Sequence, residues 1–148
     1  MEDSIKLSII IKAEPYIVWK TRTESAYIEK YLFGCHVDSL WVPDSEINFY
    51  QTTDVNQKPV FIGRIIEIEL NKKLKHSLFP TNAGYSNCQD NQINVTYILK
   101  NIGGSTDLTI IHEGYSIAEE GEKRYLETIK GWDHALPLLK KVAESIEL

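Results

Sequence analysis

Only two cysteines occur in the 148 residues, Cys35 and Cys88, far apart and with no Cys-x-x-Cys pair. Neither a disulfide framework nor a zinc ribbon is expected, and a reducing cytoplasm fits best. Positive charge is also in short supply: 16 Lys+Arg against 21 Asp+Glu leave a formal net charge of -5. That balance offers no long-range attraction to phosphate backbones or anionic lipid, so no nucleic-acid partner is expected. No apolar run exceeds four residues, whereas a membrane-spanning helix needs roughly 20. The start, Met1-Glu2-Asp3-Ser4-Ile5-Lys6, lacks the basic stretch, apolar core and small-residue cleavage site of a signal peptide. A cytoplasmic protein without membrane insertion is the expectation.

Several chemical signatures are missing as well. No Gly-x-Ser-x-Gly elbow, P-loop, Gly-x-Gly-x-x-Gly or His-Glu-x-x-His occurs, so serine hydrolase, nucleotide-dependent and zincin chemistries have no positive support. The histidines, His36, His76, His112 and His134, show neither an i, i+4 pair nor a His-x-His spacing. No metal site and no cofactor are expected. Asn94-Val95-Thr96 matches the glycosylation sequon but is a chance match in a chain read as cytoplasmic.

What is present has ordinary globular composition, 43% hydrophobic and 25% charged, at the size of one domain covering residues 1–148. Ile5, Leu7, Ile9 and Ile11 alternate with polar residues, which predicts a strand over 4–12 with one buried face. Pro15 suits a first helical turn, and Tyr16, Val18 and Trp19, then Ile28, Tyr31 and Leu32, recur at helical spacing, which predicts two short helices. Short strands are predicted over 37–42, 46–53, 59–70, 73–79, 92–102 and 105–115, with turns at Asp44-Ser45, Asp54-Val55-Asn56 and Asn101 to Ser105. The polar stretch 80–91 reads as a loop. After Gly121 the apolar residues follow a 3.6-residue period for about seven turns, a helix about 40 Å long, with Pro137 expected to kink or open it. This order is not the alternating βαβ of a doubly wound sheet; it is α+β, with a curved antiparallel sheet covered by one long C-terminal helix.

The arrangement resembles the helix-grip fold of the START-like superfamily, which includes the birch-pollen allergens and polyketide cyclases. Ala13-Glu14-Pro15-Tyr16-Ile17-Val18-Trp19 is similar to the superfamily's opening, where the first strand gives way to the first helix. Gly63 to Leu70, followed by Lys72-Lys73-Leu74, resembles its "G-x-V-x-E-I-x-P…L" strand pair, with Leu70 at the usual proline. Ser105 to Gly114 is similar to its "G-x-T-x-L-T-x-x-H-x-G" strand, and Gly131-Trp132 with Leu136 and Leu139 to its "G-W-x-x-x-L-x-x-L" helix. Together these motifs resemble the branch named after the activator of the heat-shock-protein ATPase.

That resemblance implies an internal cavity between the concave sheet face and the long helix. Strand parity supplies its candidate lining: Ile93, Val95, Tyr97 and Leu99; Leu108, Ile110 and His112; Leu74, His76 and Leu78. Trp41, Phe49, Phe61, Ile129, Trp132 and Leu136 complete the enclosure. Parity alone does not separate a lined cavity from a filled core. His76 and His112 interrupt apolar strand faces and are the sharpest polar candidates for a ligand contact. Tyr97 and Tyr115 offer hydroxyls, and Glu67 and Glu113 are strand carboxylates that default to solvent.

The first functional reading is a binding protein for a hydrophobic or aromatic small molecule, lipid, polyketide or flavonoid-like, held by Trp41, His76, Tyr97, Leu99, Ile110, His112 and Trp132. The second is a cyclase- or hydrolase-type enzyme using the same cavity, with His112 or Glu113 as acid or base, although no dyad is recognisable and no catalytic residue is assigned. A chaperone-interaction module, implied by the family name, ranks last, so a chaperone partner is not expected. An apolar patch on the outer sheet face leaves a homodimer open.

Overall fold

The computed structural model describes residues 3–51 and 57–146. The predicted turn at Asp54-Val55-Asn56 and the end of the strand predicted over 46–53 lie outside the described residues. Seven strands form one antiparallel sheet: β1 (Ser4–Ile11), β2 (Cys35–Ser39), β3 (Glu46–Gln51), β4 (Phe61–Glu69), β5 (Lys73–Pro80), β6 (Ile93–Ile102) and β7 (Ser105–Glu113). Their spatial order is β1-β7-β6-β5-β4-β3-β2. Strands β2 to β7 are therefore a meander, and β1 closes the free edge of β7. Two short helices, α1 (Pro15–Thr23) and α2 (Ser25–Ile28), link β1 to β2, and the long α3 (Gly121–Glu144) follows β7. This is the α+β arrangement expected from the element order, and the helix-grip architecture that the resemblance implied.

The local reasons are visible in the chain. Pro15 occupies the start of α1, where its missing N–H leaves no bond unmade. Ser25 Oγ donates to the Val37 carbonyl at 2.9 Å and accepts from the Val37 N–H at 3.0 Å, which ties the second helix to β2. Gly63 lies where a Cβ would fall 1.9 Å from the Ser77 carbonyl oxygen, so β4 approaches β5 in a way only glycine allows. Two residues further on, the register slips between Ile65 and Glu67, leaving Ile66 as the extra residue of a bulge. Bulges bend a strand and raise its twist, which curves the sheet around its concave face.

Helix α3 covers that face. It runs unbroken through Pro137, which is exposed. Its first residue, Gly121, would place a Cβ 1.8 Å from the Tyr115 carbonyl oxygen, so the chain can turn into the helix so tightly only with glycine there. Ala135, Leu139 and Ala143 of α3 pack with Ile11, Val18, Leu74, Leu108 and Ile110 in the main core cluster. A smaller cluster of Ile5, Ile93 and Tyr115 takes in Ile129. The predicted loop 80–91 contains one 3₁₀ turn, Gln89–Asn91. Asn91 anchors it, donating to the Ser86 carbonyl at 2.9 Å and accepting from the Glu119 N–H at 2.8 Å.

Candidate functional site

The face of the sheet that meets α3 carries His76, Val95 and His112 side by side, since Val95 pairs with His76 on β5 and with His112 on β7. One register row along, Leu74, Tyr97 and Ile110 are aligned in the same way. Between this face and α3 lies a cavity of about 190 Å³, walled by His76, Val95, Tyr97 and His112 from the sheet and by Thr128, Gly131, Trp132 and Ala135 from the helix. Phe33, Cys35, Phe49 and Phe61 close its far side. Phe33 stands at the rim, 58% exposed, and stacks on His134 of α3 at a centroid distance of 5.3 Å. A second chamber of about 350 Å³, lined by Tyr85, Ile93, Tyr115 and Arg124, adjoins the first through the shared residues Phe61, Leu78 and Thr128.

The polar atoms in this apolar setting are organised. His112 Nε2 accepts the indole N–H of Trp132 at 2.9 Å. Its Nδ1 therefore carries the ring proton and faces the Tyr115 hydroxyl oxygen at 3.4 Å. Tyr115 in turn donates to Thr128 Oγ1 at 2.9 Å, and Thr128 donates to the Arg124 carbonyl at 2.9 Å. His76 is arranged alike: Nδ1–H donates to the Ser77 carbonyl at 2.8 Å, and Nε2 accepts from Arg22 Nη2 at 3.0 Å. Burial, reinforced by the Arg22 charge, pushes His76 down to about 3 and His112 down to about 4. Both rings are neutral at physiological pH, with both nitrogens engaged. Neither presents a free lone pair to a substrate, which weighs against His112 as a general base.

Arg22 is the residue that the reading of the chain passed over. It projects from α1, is 4% exposed, and holds its guanidinium carbon 4.4 Å from the Tyr97 ring centroid and 5.9 Å from that of Phe49. A signal for it exists in the sequence. Arg22 stands four residues after Val18 and three after Trp19, the spacing that puts all three on one helix face.

Of the predicted site residues, the fold brings His76, Tyr97, His112 and Trp132 together on the cavity wall. Tyr97 stacks on His76 at 6.2 Å, and Trp132 meets both Tyr97 and His112 edge-on at 6.4 and 6.1 Å. Leu99 and Ile110 share the inward face but are packed in the core cluster rather than on the wall. Trp41 is not in a strand: β2 ends at Ser39, and Trp41 adopts a left-handed backbone, φ 56°, in the turn before β3, where it packs at the margin of the core. The predicted strand over 37–42 is thus shifted, because Ser39 Oγ accepts the Trp41 N–H and ends the extended run. Glu67 and Glu113 are exposed, Glu67 beside Lys73 at 2.9 Å. Tyr115 lines the outer chamber.

A curved antiparallel sheet gripped by one long helix over a polar-pinned cavity defines the helix-grip class. Residues 12–144 match the family described as Activator of Hsp90 ATPase homolog 1-like protein, and the chain belongs to that family. Among solved structures it is similar to a Cytophaga hutchinsonii protein at 23% identity and TM-score 0.75, with 97% of each chain covered. A Mesorhizobium loti protein is similar at 16% identity and TM-score 0.76, covering 98% of this chain and 99% of that one. An HSP90 activator from Plasmodium falciparum is similar at 12% identity and TM-score 0.73, covering 95% and 96%. At these identities the likeness is one of fold. Among the curated proteins, none matches. No helix of the described residues is long and apolar enough to cross a membrane.

Proposed function

We propose that this protein binds a hydrophobic or aromatic small molecule in the cavity between the sheet and α3. The observation that carries the reading is the cavity itself, about 190 Å³, bounded by Phe49, Tyr97, Val95 and Trp132 with its histidines neutral and tied back to the protein. An engineered apolar cavity of about 150 Å³ takes benzene, so a body the size of one or two aromatic rings suits the inner chamber. A longer molecule extends into the outer one. Burial supplies affinity at roughly 25 cal/mol per Å² of apolar surface, and the rings of His76, Tyr97, His112 and Trp132 give the guest flat faces to pack against. Leu99 and Ile110 act from behind, as core neighbours on the strands that carry Tyr97 and His112, and Trp41 packs at the margin of the core.

A thermal-shift screen against lipids, flavonoid-like aromatics and polyketide-like acids tests this. A ligand at about 100 times its Kd adds roughly 2.7 kcal/mol to the native state. A dose-dependent rise in Tm for one chemical class is the expected result. No response from any class overturns the reading. The family match favours a second reading, stimulation of an Hsp90-type ATPase; an unchanged ATPase rate in the presence of the purified protein removes it.

A further inference from the structure

Two residues of the inner cavity wall are exposed, Phe33 at 58% and Phe61 at 36%. Their settings differ. Phe61 belongs to β4 and is paired on both sides, with Phe49 of β3 and Pro80 of β5. Phe33 lies outside the sheet, in the turn between α2 and β2. Its backbone is left-handed, φ 52°, as is that of Gly34, φ 75°. For a bulky side chain this conformation is strained and has to be held by its surroundings. The chain is fixed on either side of the pair. Tyr31 is buried, its hydroxyl donating to the Thr21 carbonyl at 2.9 Å, and the Cys35 N–H donates to the Leu32 carbonyl at 2.9 Å where β2 begins. Across the opening, the Phe33 ring stacks on His134, an exposed residue of α3. Gly131, about one helical turn earlier, also lines the cavity, and a Cβ there would meet nothing within 4 Å. Glycine inside a helix costs stability relative to alanine. Packing does not require it here, and the bare position keeps the helix side of the opening wide.

We propose that Phe33 is the gate of the inner cavity: a guest enters between the 32–35 turn and α3, past Gly131, when the Phe33 ring leaves His134. Leaving breaks one exposed ring contact and releases a strained backbone, whereas opening at Phe61 breaks strand pairing on both sides. With the ring in place, Phe33 completes the apolar wall. The proposal rests on the cavity-binding reading above for its purpose, but its test needs no guest. Cys35, buried on the same wall, reports each opening to a thiol reagent.

The measurement is the rate at which 4,4′-dithiodipyridine, a neutral aromatic disulfide, labels Cys35 in the full chain carrying Cys88→Ser. Phe33→Ala is expected to raise that rate about tenfold or more, and His134→Ala, at an exposed position, about threefold. Phe61→Ala is expected to raise it by clearly less than Phe33→Ala. An unchanged rate in Phe33→Ala, or in His134→Ala where Phe33→Ala does not fold, overturns the proposal. A rate in Phe61→Ala that equals or exceeds that in Phe33→Ala moves the entrance to the outer chamber and overturns it as well. Urea well below the unfolding transition is expected to leave the rate with Phe33 in place unchanged, because moving one turn exposes little surface. A rate that climbs with urea in step with global unfolding means that Cys35 is reached only by unfolding, which overturns the gate. Binding in the thermal-shift screen is scored independently of these rates, so either reading can fail alone.

Discussion

Trp132 and His112 are joined across the cavity by a 2.9 Å hydrogen bond from the indole N–H to the imidazole Nε2. This bond fastens α3 to β7 and decides which nitrogen of His112 carries the proton. Trp132→Phe leaves a buried acceptor alone and His112→Phe leaves a buried N–H alone, each expected to cost about 1–3 kcal/mol in urea unfolding. The double variant is expected to cost clearly less than the two single losses together, because neither partner is then stranded. Simple additivity would show that the pair is not coupled.

Acid should weaken the fold through the two histidines. Above pH 6.5 both rings are neutral in folded and unfolded chains alike. Between pH 6.5 and the folded values of about 3 for His76 and about 4 for His112, the unfolded chain takes up protons that the native chain refuses. Stability is therefore complete above pH 6.5 and falls as the pH drops, by up to about 1.4 kcal/mol per pH unit for each ring. Urea midpoints at pH 7.5, 6.0 and 5.0 check this. His112→Gln is expected to flatten the slope by about half.

The two thiols should differ sharply in reactivity. Cys88 is exposed, whereas Cys35 is buried on the cavity wall and burial pushes its thiol pKa up. A disulfide reagent is expected to label one thiol per chain promptly and the second at least about tenfold more slowly. Any ligand that fills the cavity should slow the second phase further, and that of Cys88 not at all.

Two backbone substitutions should move stability in opposite directions. Gly63→Ala forces a Cβ against the Ser77 carbonyl and is expected to cost about 1–3 kcal/mol. Pro137→Ala restores a missing helix donor at an exposed position inside α3, and is expected to gain about 1 kcal/mol or more. Thermal melts followed by circular dichroism distinguish the two.

The strands β1, β6 and β7 were plain in the sequence because one face of each is apolar and the other polar, a pattern written in every second residue. The same parity brought His76, Tyr97 and His112 to one face. It failed at Trp41, where a side-chain hydrogen bond ends β2 early and the chain turns left-handed. Arg22 was missed for a different reason. Apolar periodicity selects apolar residues, so a charge at the buried phase of α1 is skipped rather than detected.

The chain by itself determined the order of the elements, the inward face of each strand and the α+β class, because these follow from periods of two and 3.6 residues along a local stretch. The tertiary structure alone decided which inward residues line a cavity and which fill the core. His112 faces a gap while Ile110, two residues before it, is packed solid. That difference depends on how far α3 stands from a sheet bent at the β4 bulge, and on Trp132, Tyr97 and Arg22 arriving from three separate elements. Distances of that kind arise only when the elements pack, and no local repeat encodes them.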